Sequence, residues 1–146
     1  MTFVTRKVHF NAAHRLHNPL KSDQWNKDTF GKCNHKNWHG HNYLMEVTVV
    51  GVPNTDTGYV VDLGQLKKLI EEKVIDKCDH RNLNMDVDFL EGIIPSSENL
   101  CRVFFEQLIE DVAKISSEGS VLYSVKLFET ERNSAEYSPY KSSLIK

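Results

Sequence analysis

Cys33 and the run His39-Gly40-His41 are separated by five residues, and His14 stands 25 residues before His39. Three imidazoles with a thiol between them in sequence have the composition of a metal-assisted active site. Side chains alternate along a strand, so an extended 40–51 segment sends the His39 and His41 rings out of one face, where one cation could bind both. Zn²⁺ accepts neutral imidazole nitrogens. Three protein ligands leave its fourth tetrahedral position open for a water or a substrate oxygen, which separates a catalytic zinc from a structural one.

Other residues supply the groups that such a centre needs, and each also has an ordinary reading. Cys33 is compatible with a fourth ligand that closes the site, with a small buried hydrophobe, or with a thiolate held near a cation to abstract a proton. Asp79-His80 pairs a carboxylate with an imidazole, which can orient a ring and relay protons; a helix-terminal histidine beside a surface aspartate has the same sequence. Glu129 shares parity with Leu127 unless a bulge intervenes, and a carboxylate on an inner face needs a partner, either a ligand with N–H donors or a neighbouring cation. His9 points away from His14 by strand parity, while His17 and His35 read as loop residues.

The elements that must position these groups follow from periodicity. Val8, Phe10, Ala12 and His14 share one parity over residues 5–14, a half-buried strand whose inner face ends at His14. A second strand is expected over about 43–52, a short extended stretch over 58–62, and a helix capped by Asp62, with Leu63, Leu66, Ile70 and Val74 at helical spacing, ending near Lys77. Ser97 is the expected cap of a second helix whose apolar positions are Leu100, Val103, Phe104, Leu108 and Val112. A strand over 121–130 should place Val121, Tyr123, Val125 and Leu127 on one side, with a last short strand near 135–137. The expectation is an α+β domain spanning 1–146: a four-stranded antiparallel sheet with two helices on one face. The connection from Arg15 to Trp38 exceeds 20 residues, carries Cys33 and ends at the histidine pair, so it reads as a functional loop.

Composition narrows the function. A net charge of −2 over 146 residues is no nucleic-acid footprint, and a small molecule is the expected partner. No stretch approaches the ~18 apolar residues of a membrane span. The chain opens on a strand-like segment rather than a signal peptide, and three cysteines do not make a disulfide framework, so a reducing cytoplasm is expected.

Six runs taken in order resemble the 6-pyruvoyl tetrahydropterin synthases and the bacterial 6-carboxytetrahydropterin synthases. They are Phe10-Asn11-Ala12-Ala13-His14-Arg15-Leu16, Phe30-Gly31-Lys32-Cys33-Asn34, His39-Gly40-His41-Asn42-Tyr43, Asp79-His80-Arg81-Asn82-Leu83, Ser97-Glu98-Asn99 and Glu129-Thr130. The resemblance implies the tunnelling fold, in which four-stranded units assemble into a barrel and two trimers stack as a homohexamer. It implies that His14, His39 and His41 bind Zn²⁺, that Cys33 is the base, and that Asp79 with His80 is its relay. It further implies that Glu129 holds the pterin edge and that Ser96, Ser97 and Glu98 complete the pterin pocket. The implied substrate is 7,8-dihydroneopterin triphosphate, converted to 6-pyruvoyl tetrahydropterin with loss of triphosphate. The alternative product is 6-carboxy-5,6,7,8-tetrahydropterin, made for queuosine synthesis with release of acetaldehyde. The five-residue gap after Cys33 is similar to that of the pyruvoyl-forming enzymes. A non-catalytic pterin- or zinc-binding module and a Cys-His₃ structural zinc protein are the readings of other classes. Trp38 departs from the family pattern, where a small residue is usual in the animal enzymes, and Asn84 stands where Asp is frequent.

Overall fold

The computed structural model describes residues 1–140. Two 13-residue strands, β1 (Thr2–His14) and β2 (His39–Gly51), form its spine. They pair antiparallel without a register break from Thr2 opposite Gly51 to His14 opposite His39. Cross-strand polar pairs support the register on the outer face, Lys7 with Glu46 at 2.7 Å and Thr5 with Thr48 at 2.9 Å. On the inner face Val8, Phe10 and Ala12 of β1 meet Tyr43, Met45 and Val47 of β2, all buried. The Phe10 and Tyr43 rings stack at 4.8 Å.

Helices α2 (Leu63–Ile70) and α3 (Ser97–Ile115) follow, both packed on that inner face as expected. Asp62 caps α2, its carboxylate accepting from the Gly64 and Gln65 amides at 2.7 and 2.9 Å. The helix continues through one π turn (Glu71–Ile75) and a final α turn (Asp76–Cys78). Leu66, Ile70 and Val74 are buried, whereas Leu63, which shares their spacing, is exposed in the first turn. From α3, Leu100, Val103, Phe104, Leu108 and Val112 all enter the core.

The fold departs from expectation in three places. Among the described residues the sheet has five strands, ordered β3-β1-β2-β4-β5, with β4 at Val121–Phe128 and β5 at Ser134–Tyr137. The unexpected strand β3 (Arg81–Asn82) runs parallel to β1 beside Ala12 and Ala13, so the sheet is mixed rather than wholly antiparallel. Two residues are too few to show alternation, and the pairing is set by His80 N–H donating to the Asn11 carbonyl at 2.6 Å and Leu83 N–H to that of Ala13 at 2.8 Å. On β4 the register against β2 shifts at Thr48/Val49, which bulges Tyr123. Parity therefore switches: Leu122 is buried before the bulge and Val125 and Leu127 after it, in place of the single face 121-123-125-127.

The third departure lies between β1 and β2, where the long connection contains a helix, α1 (Asp23–Phe30), and a 3₁₀ turn (Gly31–Asn34). Periodicity cannot reveal α1, because its single buried side chain is polar. Asn26 donates to the carbonyls of Asn18, Lys21 and Ser22 and accepts from the Asn18 amide at 2.7 Å. Ser22 caps the helix, and Gly31 leaves it at a φ of 52°.

Gly51 ends β2 against the buried Ser120. A methyl group there would overlap the Ser120 side chain and come within 3.1 Å of its Cα. Ser120 is held by a hydrogen bond with Ser117 Oγ at 2.6 Å. Gly51→Ala should cost about 1–3 kcal/mol in urea unfolding; an unchanged midpoint would show that the turn relaxes around the methyl.

Candidate active site

The β1–β2 register builds the centre. His14 ends β1 directly opposite His39, and His41, two residues on, leaves the same face opposite Ala12. The three ring centroids lie 4.6–5.1 Å apart, and one nitrogen from each ring falls within 4.8 Å of the others. His14 Nε2, both nitrogens of His39 and His41 Nε2 are shielded from water and have no hydrogen-bond partner. Shielded polar atoms without partners each cost ~1–3 kcal/mol, and one bound cation would satisfy three rings at once. The donor set thus fits a metal that accepts imidazole.

The surroundings prepare the rings for that role. Pro95, just before α3, accepts a hydrogen bond from His14 Nδ1–H at 2.8 Å, which leaves the lone pair on Nε2, within the cluster. Burial lowers the His14 pKa, and proximity to His39 and His41 lowers it further, while the Pro95 bond opposes them. Burial and then His41 lower the pKa of His39. Both effects favour the neutral, ligating form.

Glu129 stands immediately after β4 and shares Leu127's side of the sheet, as parity requires once the bulge lies upstream of both. Its Oε1 lies 3.3 Å from His41 Nε2 without the alignment of a hydrogen bond, and its Oε2 accepts from Ser97 Oγ at 2.8 Å. His41 and Glu129 open onto a cavity of about 790 Å³ with His9, Asn42 and Thr130 on its walls. The serines exchange the duties expected of them. Ser96, not Ser97, caps α3, accepting from the Asn99 amide at 3.3 Å, because Ser97 is the first helical residue and its hydroxyl is turned to Glu129. Glu98 lies exposed in the first turn of α3.

Cys33 lies half-buried on the 3₁₀ turn, its carbonyl accepting from Leu16 N–H at 2.9 Å. Its sulfur is not among the atoms of the histidine cluster. Tyr43 is the residue that sequence reasoning missed. Its hydroxyl lies 3.4 Å from His14 Nδ1, and its pKa is raised chiefly by burial and then by the Glu129 and Cys33 charges. The signal was present, since Tyr43 continues the parity of His39 and His41 on β2.

Asp79 and His80 stand at the edge of β1. Asp79 Oδ1 accepts from Asn11 N–H at 2.8 Å and Oδ2 lies 3.0 Å from His80 Nδ1. The Asn11 bond, more than His80, holds the Asp79 carboxyl below the usual range. His80 has a φ of 58° and an exposed ring. Among the described residues no hydrogen bond or ion pair joins this pair to Cys33.

A histidine triad at the paired ends of two long strands, with a carboxylate behind it and two helices on one face of the sheet, defines an α+β protein whose three imidazoles could hold a metal ion. Residues 3–140 match the family described as 6-pyruvoyl tetrahydropterin synthase. The chain is 41% identical over 134 residues to human 6-pyruvoyl tetrahydrobiopterin synthase, covering 92% of this chain and 89% of the human one. It is 45% identical over 128 residues to a putative 6-pyruvoyl tetrahydrobiopterin synthase of Caenorhabditis elegans, covering 88% of each. A solved structure of the Caenorhabditis elegans 6-pyruvoyl tetrahydropterin synthase superposes with a TM-score of 0.84 at 42% identity over 94% of both chains. The chain belongs to the 6-pyruvoyl tetrahydropterin synthase family and is an enzyme, a lyase of that family's type.

Because the two serines act on different partners, their removal should differ. Ser96→Ala should destabilise the chain by about 1 kcal/mol in denaturant unfolding, the loss of one helix cap. Ser97→Ala should leave the midpoint close to wild type, since Glu129 keeps access to water; equal losses would mean that the Glu129 bond carries stability as well.

Proposed function

We propose that the protein converts 7,8-dihydroneopterin triphosphate to 6-pyruvoyl tetrahydropterin with loss of triphosphate, using Zn²⁺ held by His14, His39 and His41. The observation that carries this reading is the set of shielded, partnerless imidazole nitrogens at the paired strand ends. When bound, Zn²⁺ supplies Lewis acidity to the substrate's side-chain oxygens and so acidifies the neighbouring C–H bonds.

The chain's own groups do the rest. Glu129 accepts from the pterin ring N–H and exocyclic amine in a bidentate geometry, with Ser97 holding the carboxylate in place. Ser96 supports that pocket by capping α3, and Glu98 stands beside it. Cys33 abstracts the proton from the substrate side chain, and its position outside the histidine cluster favours a base over a fourth ligand. Asp79 orients His80, and the pair carries the proton away. One chain leaves His80 exposed and apart from Cys33, so the relay meets the thiol in an assembly, for which a homohexamer of two stacked trimers is the proposed form. The elimination with internal redox needs no nicotinamide, and three free thiols suit a reducing cytoplasm. The five-residue spacing between Cys33 and His39, and the likeness to relatives named for the pyruvoyl product, favour that product over the 6-carboxy one.

Two measurements test the proposal. In equilibrium dialysis the wild type and Cys33→Ala should each hold one Zn²⁺ per chain and His39→Ala should hold far less; zinc lost with Cys33 would make the thiol a ligand and the site structural. Anaerobic incubation of the zinc-loaded protein with 7,8-dihydroneopterin triphosphate should release triphosphate without acetaldehyde, and Cys33→Ala should abolish turnover. Stoichiometric acetaldehyde would reassign the product to 6-carboxytetrahydropterin. Zinc binding with no turnover would leave only a pterin- or zinc-binding module.

A further inference from the structure

Just beyond the histidine pair, the first residues past the strand ends, Arg15 and Trp38, line a cleft of about 260 Å³ with His17, Asn84, Ile93 and Ile94. No carboxylate lines it, although the chain as a whole is acidic.

Arg15 is held there from three sides. Its backbone N–H donates to Asn84 Oδ1 at 2.8 Å and its carbonyl accepts from Asn84 Nδ2 at 2.8 Å, so one amide side chain clamps the residue as a paired strand would. An aspartate at position 84 could accept from the N–H but would set a second oxygen against the carbonyl. Arg15 Nε donates to the Asn34 carbonyl at 2.8 Å. Among the described residues its two terminal nitrogens have no hydrogen-bond or ion-pair partner. Asn34 Nδ2 also donates to His17 Nδ1 at 3.0 Å, which leaves the neutral His17 ring with its proton on Nε2, another donor. Trp38 forms a wall in the left-handed region at a φ of 60°, a conformation that costs an L-residue ~1–2 kcal/mol.

We propose that this cleft is a binding site for a phosphate chain, with the guanidinium of Arg15 as its principal donor, preorganised by Asn84 and Asn34. Resting on the substrate proposed above, it assigns the triphosphate end. Along the β1–β2 pair the groups fall in order: Glu129 beside His41, then His14 opposite His39, then Arg15 with Trp38. At ~3.4 Å per residue these steps lay out a ring anchor, a reacting centre and an anion site in one line. A guanidinium held by Nε presents its remaining N–H groups as a fork, the geometry that phosphate oxygens accept. Asn84 and Asn34 are positioning residues, acting through Arg15.

Calorimetric titration of inorganic triphosphate into the zinc-loaded protein tests the site apart from turnover, with zinc content measured afterwards so that chelation is not read as binding. Wild type should bind, more weakly as salt rises, and monophosphate should bind much less tightly than triphosphate. Arg15→Gln should weaken triphosphate binding about tenfold or more. Arg15→Lys should recover part of the loss, and Asn84→Ala should also weaken binding while the zinc content stays that of wild type. Lys68→Gln, remote and exposed, should behave as wild type. In turnover, Arg15→Gln should raise KM more than it lowers kcat. Wild-type affinity in Arg15→Gln, or no binding of triphosphate to the wild type, would overturn the assignment. Arginine-dependent triphosphate binding without turnover of the pterin would uphold the site and sink the lyase reading instead. Turnover with KM unchanged in Arg15→Gln would do the reverse.

Discussion

The unbroken 13-residue pairing of β1 with β2 is the constraint on which the rest of the molecule depends. It sets His14 opposite His39 and places His41 two residues further in, so three imidazoles from two distant parts of the chain meet at one sheet end. A slip of one residue would send every inner side chain of one strand to the other face. That would separate the rings and expose Phe10 or Tyr43 with them. Apolar packing thus carries the register that ligand geometry requires. The stacked rings of Phe10 and Tyr43 and the edge of Phe104 lock the same register from the helix side.

Around that spine, amide side chains rather than apolar ones order the segment that bears Cys33. Asn26 gathers the Asn18–Ser22 turn at the start of α1, Asn34 ties the 3₁₀ turn to Leu16, and Asn84 reaches from beyond β3 to clamp Arg15. An amide both donates and accepts, and can therefore stand in for a missing strand partner where the chain leaves regular structure. Such bonds are directional and leave little apolar surface behind. The result is an open, polar approach to a centre whose own nitrogens are shielded.

Local costs collect at the same place. The shielded ring nitrogens lack partners, and Trp38 and His80, which stand beside or within the proposed machinery, are the non-glycine residues with positive φ among the described residues. The core carries those costs, with Leu66, Ile70, Leu100, Phe104, Leu108 and Leu127 all fully buried.

Alternation and helical spacing in the sequence were enough to determine the long strands, both core helices, the face on which His14, His39 and His41 fall, and the parity of Glu129 with Leu127. Each is a local pattern repeated over enough residues to stand above chance. The Asp62 cap was legible for the same reason, since its partners are two and three residues away. Tertiary structure alone decided the rest. The two-residue β3 exists because Asn11 and Ala13 offer free backbone groups, and α1 because Asn26 finds four polar partners. The β4 bulge arises where β2 shifts register. Tyr43's contact with His14, and Ser97's turn from cap to Glu129, depend on groups about 30 residues away in sequence. Contacts at such separations leave no periodic trace, because a single hydrogen bond or one displaced residue is a property of the assembled chain rather than of any segment of it.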